Sequence, residues 1–472
     1  MKKRLIASAI VLATIVIAPK IVSSKVEESL HATIAEINSI PGYIAQVQEF
    51  KSGWFASTAK IEIGVDLAAM SPQVNPDDYP FPTEGSVLVD FNSSHGPILF
   101  GAHSGIGWFG YTISYSGESA RNALSWADST ALYTLTGNMG LFGNSQFSDS
   151  IPAFKAAEDQ PYNVDFSGYQ GQGKYSSGEY IYSGVSEKLN VDDTEGNFII
   201  TGISYDISMQ GSILEALQGV AFDSEINFGV NNIAFDGASG GEQLFAIKEL
   251  TLGAVTSIDK EANLASGVIN YAIKAIDVAN YNSSDIVLQM EMNNLSLEFL
   301  ESYRIFAREM VDLPAEEFGE NALDFMQHKF LPALTSSPEL NISDFHGTIP
   351  EGNFKATMFT KLTGIEAMPD DIMDPAFWLQ HILANADIEV DKAVVLMLAQ
   401  QQLRSQLMQN PEVASMSPEE LDQIVIQQTP MMLSTFQQQR LITETDTGYT
   451  SSFELKDGKA LLNGNPIPIP GM

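Results

Sequence analysis

Residues 105–110 (GIGWFG) fit the G-x-G-x-x-G pattern, in which glycines let the backbone approach the pyrophosphate of a dinucleotide. That chemistry needs a strand before the first glycine and a helix after the last. Here a Gly- and Ser-rich loop precedes the run, and the strand-like sequence GYTISYS overlaps its end. We therefore predict a β-turn with an aromatic plug at this point, and no dinucleotide cofactor.

A second candidate for chemistry is a metal site around the His95-Gly96-Pro97 turn. His95 and His103 are eight residues apart, and with Asp90 they offer the imidazole and carboxylate groups that suit zinc or similar ions. The sequence has no HExxH motif and no tight ligand spacing here. We therefore expect His95 to bond to the backbone of the turn, and we predict no metal site.

Nucleophilic and acid–base catalysis also lack a supporting pattern. Residues 117–121 (GESAR) lack the closing glycine of the G-x-S-x-G nucleophile elbow. Carboxylate pairs such as Asp192-Asp193 are adjacent, so in a strand they would point to opposite faces. Because the chain has no cysteine, thiol nucleophiles, Cys-ligated zinc and iron–sulfur clusters are excluded. We predict a non-enzymatic protein with no cofactor.

The chain is strongly acidic. It has 24 Lys and Arg against 59 Asp and Glu, which gives a net charge of −35. Such a charge repels nucleic acid at long range, and basic stretches interleaved with aromatic residues are missing. We therefore expect no nucleic-acid partner. The acidic residues are interpreted as solvated surface, with a cation-binding surface as the alternative.

The N-terminus predicts a membrane segment. Lys2-Lys3-Arg4 precede residues 5–18 (LIASAIVLATIVIA), an uncharged apolar run with the length of a signal-peptide core. Pro19 is a poor residue just after a cleavage point, and residues 5–24 could span the inner membrane if Lys20 reaches the interface. The basic flank then stays in the cytoplasm. We predict a single-pass protein of the bacterial inner membrane with most of the chain in the periplasm; a cleaved signal peptide is the alternative.

The remaining pattern is mostly that of β-strands. In residues 267–278, for example, Ile269, Tyr271 and Ile273 alternate with Asn270, Ala272 and Lys274. We predict an α+β fold, mainly antiparallel β, with an extended curved sheet and two helical insertions behind one N-terminal membrane helix. The predicted segments are a signal anchor or signal peptide (1–24), a helical stalk (25–50), a β-rich region (51–293), a helical insertion (294–332), a β continuation (333–364), a helical block (365–440) and a C-terminal hairpin (441–472).

Residues 375–440 carry the clearest helical signals. Ser417 and Glu420 have the spacing of a capping box, with Pro418 at the first helical position. The Gln- and Met-rich character of this block fits ordinary core packing, and it also fits a partner surface or a groove lining.

Several short stretches, in order along almost the whole chain, resemble the YdgA/YihF family of bacterial inner-membrane-anchored proteins of unknown function. The resemblance implies an envelope location and a β-rich body, and it supplies no catalytic residue. It rests on the basic-apolar N-terminus and its helix, on residues 332–352, on residues 457–464, and on these candidate motif positions: Gly53, Trp54, Phe55, Ser57, His95, Gly96, Pro97, Asn463 and Gly464.

Two functional hypotheses remain open. A long curved sheet with an apolar face needs helices or a ligand to cover it, which favours binding or shielding of a lipid or another hydrophobic ligand. This hypothesis predicts a continuous apolar groove. The alternative is a structural or assembly factor that docks another envelope protein through residues 375–440, and it predicts an exposed Met/Leu helix face around residues 397–408 or 424–436.

Overall fold

The computed structural model describes residues 2–70, 83–238, 241, 243–279, 281–311, 315–369, 371–372, 374–409 and 417–468; side chains of the first helix are described from residue 18. The chain divides into two compact units. Unit 1 comprises residues 1–231, 236–241 and 300–325, and unit 2 comprises residues 232–235, 242–299 and 326–472. Each unit is built mainly on antiparallel strands, which confirms the predicted β-rich α+β class.

The strands are numbered in chain order. They are β1 (Tyr43–Ser52), β2 (Ala56–Asp66), β3 (Glu84–His95), β4 (Ile98–Leu99), β5 (Gly105–Ile106), β6 (Phe109–Tyr115), β7 (Leu124–Ser125), β8 (Tyr133–Met139), β9 (Ser145–Ile151), β10 (Phe154–Ala156), β11 (Asn163–Phe166), β12 (Tyr169–Ser176), β13 (Glu179–Asp192), β14 (Gly196–Met209), β15 (Ser224–Gly237), β16 (Gln243–Asp259), β17 (Leu264–Val278), β18 (Tyr281–Ser296), β19 (Glu339–Ile349), β20 (Gly352–Leu362), β21 (Ile382–Asp391), β22 (Thr443–Glu444), β23 (Gly448–Lys456), β24 (Lys459–Leu462) and β25 (Asn465–Ile467).

The helices are numbered in the same way. They are α1 (Lys2–Asn38), α2 (Leu67–Met70), α3 (Ile213–Leu217), α4 (Leu297–Val311), α5 (Ala315–Lys329), α6 (Leu331–Thr335), α7 (Pro375–His381), α8 (Lys392–Met408) and α9 (Pro418–Gln438), with 3₁₀ turns at Gly101–His103 and Glu118–Asn122. No helix in the described part of the chain is long and apolar enough to cross a membrane. The side chains of residues 5–17 are not among those described, so the predicted span of residues 5–24 lies largely outside the described part of the chain.

Unit 1 is an antiparallel ladder in the order β1-β2-β3-β6-β8-β9-β12-β13-β14, with β7, β10 and β11 forming a side branch on β13. Strand β2 illustrates why these segments pair, because every second residue at its start is buried. Its Ala59 and Ile61 form a core cluster with Val89 and Phe91 of β3 and Val26 of α1.

Helix α1 corrects the predicted stalk. The helix itself is confirmed, since α1 ends at Asn38, just before Pro41-Gly42; the bound of the stalk segment at residue 50 is wrong, because β1 begins at Tyr43. The helix also lies on the sheet, because Val26 belongs to the core cluster there. Pro19 lies inside the helix and is fully buried. Burial of the apolar helix face against β2 and β3 accounts for a packed helix where an exposed stalk was expected.

Unit 2 contains a second antiparallel ladder, in the order β16-β17-β18-β19-β20-β21-β23-β24-β25, with β22 also paired to β23. Strand β21 lies inside the predicted helical block of residues 365–440, so that block is not continuous. It pairs with β20 on one side and β23 on the other. Hydrogen bonding to strands on both sides stabilises β21 as a strand, although its first residues continue a helical pattern.

Other elements of unit 2 agree with the sequence. The capping box at Ser417 and Glu420 is confirmed, with Pro418 at the start of α9. The C-terminal hairpin is confirmed as β23 and β24 around Asp457. The predicted helical insertion of residues 294–332, most of which belongs to unit 1, contains α4 and α5, and the residues between these two helices lie outside the described part of the chain.

Candidate ligand-binding groove

An apolar groove lies on one face of the unit 1 sheet. Residues two apart on a strand share a face, so Tyr133 and Leu135 of β8 project to the same side. On β13, Tyr180 and Tyr182 do the same. They stand opposite Met209 and Ile207 of β14. The groove has a volume of about 990 Å³, and its further lining residues come from α1, from α3 and its flanks, and from β6, β9, β12 and β15: Thr33, Tyr111, Ser145, Phe147, Asp149, Tyr175, Ser212, Ile213, Leu214, Ala216, Leu217, Phe222, Ser224 and Ile226.

The other face of the same strands is polar. It carries Thr134 and Thr136 of β8, Gln146 and Ser148 of β9, and Gln172 of β12. The sheet is therefore amphipathic, with hydroxyl and amide groups on one side and aromatic and aliphatic side chains on the other. This is the pattern of a sheet that turns one face to water and keeps the other for packing or for a ligand.

The aromatic rings of the groove lie close to glycines of β12. The Phe147 ring stacks on Tyr180 with ring centroids 5.6 Å apart, and on Tyr182 at 6.1 Å. A Cβ atom at Gly173 would stand 2.3 Å from Cζ of Phe147. One at Gly171 would stand 2.2 Å from the Tyr182 hydroxyl. Glycine at these positions leaves the space that the rings occupy.

One carboxylate lies among these rings. The Asp149 Oδ1 atom accepts a hydrogen bond from the Tyr182 hydroxyl at 3.0 Å, and its Oδ2 atom accepts one from the Tyr133 hydroxyl at 3.2 Å. Tyr169 also bonds to the Tyr182 hydroxyl. The pKa values of Tyr133 and Tyr182 are raised mainly by burial, and the nearby Asp149 charge raises them further. Burial likewise raises the pKa of Tyr180 to about 12, so these phenols stay neutral donors.

Helix α3 forms one wall of the groove. Ser212 and Glu215 cap its N-terminus reciprocally, with the Ser212 amide donating to the Glu215 carboxylate at 2.8 Å. The helix contributes Ile213 and Leu217 to the lining. These two side chains remain 46% and 45% exposed, although leucine and isoleucine usually bury most of their surface. This wall therefore presents apolar surface that a ligand could cover.

The structure brings the N-terminal motif positions together at one end of unit 1. Gly53, Trp54 and Phe55 form the turn between β1 and β2, and His95 ends the neighbouring β3. The amide of His95 donates to the Phe55 carbonyl at 2.8 Å. The buried Ser57 accepts a hydrogen bond at its carbonyl from Ser93 at 3.2 Å. Gly96 and Pro97 follow directly and open the loop to β6.

His95 is fully buried and bonded on both ring nitrogens. Its Nδ1 atom lies 3.3 Å from the Trp54 carbonyl and therefore donates to it. Its Nε2 atom lies 3.2 Å from the Ser93 hydroxyl, whose single proton it shares with the Ser57 carbonyl. Burial is the main cause that lowers the pKa of His95, which keeps the ring neutral. The expectation that His95 bonds to backbone is confirmed, although the bond crosses to the β1–β2 turn.

The candidate metal ligands do not converge. His103 is bonded to Ser94 at Nδ1 (3.0 Å) and to Thr112 at Nε2 (2.9 Å). Asp90 is exposed and lies 3.9 Å from the Lys60 amine. Among the described residues, no group of three or more His, Asp or Glu side chains could hold a metal ion. In the glycine-rich run, strand β6 follows where a dinucleotide site needs a helix, as predicted.

Asn463 and Gly464 lie in unit 2 and make a separate set of contacts. They form the turn between β24 and β25, both with positive φ (49° and 73°). The Asn463 side chain accepts from the Ser452 amide at 2.8 Å and donates to the Arg440 carbonyl at 2.8 Å. This geometry ties the end of α9 to the C-terminal hairpin, which is a structural contact.

A second apolar surface lies on the α8–α9 helix pair of unit 2. A cleft of about 490 Å³ is lined by Leu398 of α8 and Leu433 and Phe436 of α9, among others. Leu398 is 52% exposed, and Ile426 and Met431 of α9 are 62% and 72% exposed. Exposed apolar side chains therefore occur in both residue ranges that the docking hypothesis names.

Sequence reasoning did not find the groove. The signal was available in the two-residue spacing of Tyr180 and Tyr182, of Tyr133 and Leu135, and of Phe147 and Asp149. What the sequence lacked was the register that sets these pairs side by side. The pairing of β8 with β9 and of β13 with β14 supplies that register.

The amphipathic sheet, the apolar groove and the motif turns define a β-rich protein with a ligand-sized apolar site. The chain belongs to the family described as bacterial protein of unknown function (DUF945), which matches residues 1–470. No curated protein and no solved structure gave a significant match.

Proposed function

We propose that the protein is a non-enzymatic binding protein that holds the acyl chain of a lipid, or a similar elongated apolar molecule, in the groove of unit 1. One observation carries this proposal. The groove has a volume of about 990 Å³ and an aromatic and aliphatic lining, which is the size and character of pockets that enclose small hydrophobic ligands.

The charges of the groove restrict how such a ligand can lie. Among the described lining residues, Asp149 is the only acidic one, and none is Lys or Arg. A buried anion without a cationic partner is unfavourable, so an anionic headgroup does not fit beside Asp149. The apolar chain therefore lies along Phe147 and Tyr180, and the polar end of the ligand remains at the mouth of the groove.

Fluorescent fatty-acid binding to the full chain tests this proposal. Leu217→Asp and Ile213→Asp place a charge on the exposed wall of the groove, where folding tolerates it. Each change should weaken binding at least about tenfold, because an acyl chain would then cover a charge without a partner. The matched control is Val185→Asp. Val185 is 55% exposed on the polar face of the same sheet, so this variant should bind as the wild type does.

Native mass spectrometry of the purified chain supplies an independent measurement. A lipid bound at one copy per chain, and lost in Leu217→Asp, supports the proposal. Equal binding by wild type and both groove variants would show that the fatty acid binds elsewhere, and the groove would then have no role as a carrier site.

We further propose that the chain is held at the bacterial inner membrane by its N-terminal segment, with the remainder in the periplasm, as in the YdgA/YihF proteins that its motifs resemble. Support comes from Lys2-Lys3-Arg4 before the apolar residues 5–18. Alkaline phosphatase fused after Ile467, at the end of β25, should be active, and a cytoplasmic reporter fused there should not be. The reverse result would exclude this orientation.

The exposed helix face of unit 2 supports a second candidate function, docking of another envelope protein on α8 and α9. A photoreactive amino acid at Ile426 or Met431 should then give a discrete cross-linked product in cells. Val278 of the same unit is 42% exposed and serves as the control position. Equal products from the helix positions and from Val278 would count against a dedicated docking surface.

A further inference from the structure

Three loops at one end of unit 1 form a continuous apolar surface, which we call the loop tip. They are the β1–β2 turn (residues 53–55), the β3–β6 connection (residues 96–108) and the β8–β9 turn (residues 140–144). The antiparallel order β1-β2-β3-β6-β8-β9 places all three at the same end of the ladder. Several of their large apolar side chains are exposed: Trp54 48%, Phe55 46%, Ile98 38%, Phe100 58%, Ile106 76%, Leu141 39% and Phe142 98%.

The loops contact one another. The rings of Phe55 and Phe100 meet edge to face with centroids 6.1 Å apart, which joins the first loop to the second. The indole nitrogen of Trp108 donates to the Leu141 carbonyl at 3.0 Å, which joins the second loop to the third. Ile98 and Ile106 are paired across the short β4–β5 ladder. The exposed rings and aliphatic side chains are therefore held in place as one surface.

The loop tip is also free of charge. Asp and Glu account for 59 of the 472 residues, yet the three loops contain no Asp, Glu, Lys or Arg. Protein surfaces that face water seldom expose so many aromatic and aliphatic groups without a charged side chain among them. Surfaces that lie in the interfacial layer of a bilayer commonly expose such groups without charges. Charged groups lose hydration there, and aromatic rings are favoured in that layer.

Helix α1 identifies what covers this surface. Its Asn38 side chain donates to the Ala45 carbonyl at 2.8 Å, near the start of β1. Its Ser23 hydroxyl lies 2.8 Å from that of Ser52, at the end of β1 next to the loop tip. The helix therefore runs along the sheet toward the loop tip, and the residues before Pro19 continue it beyond that end. Those residues include the uncharged run 5–18.

We infer that the loop tip rests in the surface of the same lipid bilayer that receives residues 5–18. The helix enters the membrane beside the loops, and the loops add apolar contacts of their own around its entry point. This inference rests on the proposed membrane location of the chain, and it does not depend on lipid binding in the groove.

Spin labelling tests the inference directly. The chain has no cysteine, so Phe142→Cys and Ile106→Cys each give one labelling site in the full chain. The control is Ser129→Cys, an exposed position in the β7–β8 connection at the other end of the ladder. The proteins are reconstituted into vesicles of phosphatidylethanolamine and phosphatidylglycerol. Collision of each label with oxygen, which enters lipid, is compared with collision with a water-soluble nickel chelate.

Labels at 142 and 106 should collide more with oxygen and less with the chelate than the label at 129. The ratio of oxygen collisions to chelate collisions should be higher at 142 and at 106 than at 129 by a factor of about three or more. The same ratio at all three positions, in protein that floats with the vesicles, overturns the loop-tip contact and leaves the membrane anchor intact. Protein that fails to float with the vesicles overturns the contact and the proposed membrane location together. Neither result bears on the groove, which the fatty-acid measurement tests separately.

Discussion

The Tyr182 hydroxyl donates a hydrogen bond to the Asp149 carboxylate at 3.0 Å, in an otherwise uncharged groove lining. Tyr133 donates to the other oxygen of the same carboxylate. A carboxylate at an apolar face is costly unless such donors satisfy it. The two tyrosines therefore make it possible for Asp149 to occupy this position.

Tyr182→Phe should lower the free energy of unfolding by about 1.5 kcal/mol, because the charge-assisted hydrogen bond to Asp149 and the bond to Tyr169 are lost while Tyr133 keeps its own. Chemical denaturation followed by circular dichroism measures the change. Tyr281→Phe, at a residue that is 42% exposed, is the control and should change stability by less than about 0.5 kcal/mol. Similar losses in both variants would show that the hydroxyl of Tyr182 contributes little.

Position 96 requires glycine because the backbone of Gly107 lies too close to it for a side chain. A Cβ atom at this position would stand 1.6 Å from the Gly107 carbonyl oxygen, so Gly96→Ala must displace the β3–β6 connection. We expect a loss of about 3 kcal/mol in the free energy of unfolding. Gly85→Ala is the matched control, since a Cβ atom there has no neighbour within 4 Å. A stable Gly96→Ala protein would contradict the geometry of this loop.

His95, which is buried, and His103, which is half-buried, predict that unit 1 is sensitive to acid. Burial is the main cause that lowers the pKa of His95 and His103 below the ordinary value of 6.5. A lowered pKa in the folded state contributes stability above pH 6.5, and this contribution is lost as the pH falls through the folded-state pKa. Denaturation midpoints measured from neutral to mildly acidic pH should therefore decrease.

The variant His95→Asn should flatten this pH dependence, whereas His31→Gln, at an exposed position of α1, should not change it. An unchanged slope in His95→Asn would assign the acid sensitivity to other groups.

Helix α9 depends on its N-terminal cap. The Ser417 hydroxyl accepts from the Glu420 amide at 3.3 Å, and the Ser417 amide donates to the Glu420 carboxylate at 3.0 Å. Ser417→Ala should lower the free energy of unfolding by about 1 kcal/mol, because this cap is lost. Ser405→Ala, at an exposed position inside α8, should be neutral or slightly stabilising, because alanine is the better helix former. Thermal unfolding of the two variants side by side separates these outcomes.

Elements whose signals depend only on neighbouring residues were predicted well from the sequence. Alternation of apolar and polar residues predicted β17 almost to its ends, and the spacing of Ser417 and Glu420 predicted the start of α9. Both signals depend on residues within one turn or one strand. They need no knowledge of the partners, and the structure therefore agrees with them.

What the sequence could not show depends on partners far along the chain. Ile382 and Leu383 continue the helical pattern of α7, yet they begin β21 because Lys361 and Leu362 pair with them. The same holds for α1, whose packing against β2 and β3 was not visible in its own residues. The groove needed several strands in register before its tyrosines formed one surface.

The ladder of unit 2 also determines the order in which it can assemble. From β17 to β21, each strand pairs with the strand before it in the sequence. Short turns join β16 to β17, β17 to β18 and β19 to β20, and short loops close faster than long ones. Three strands must wait for intervening helices, since α4 to α6 precede β19, α7 precedes β21, and α8 and α9 precede β23. Until those strands arrive during synthesis, β18, β20 and β21 each present an open edge to other chains.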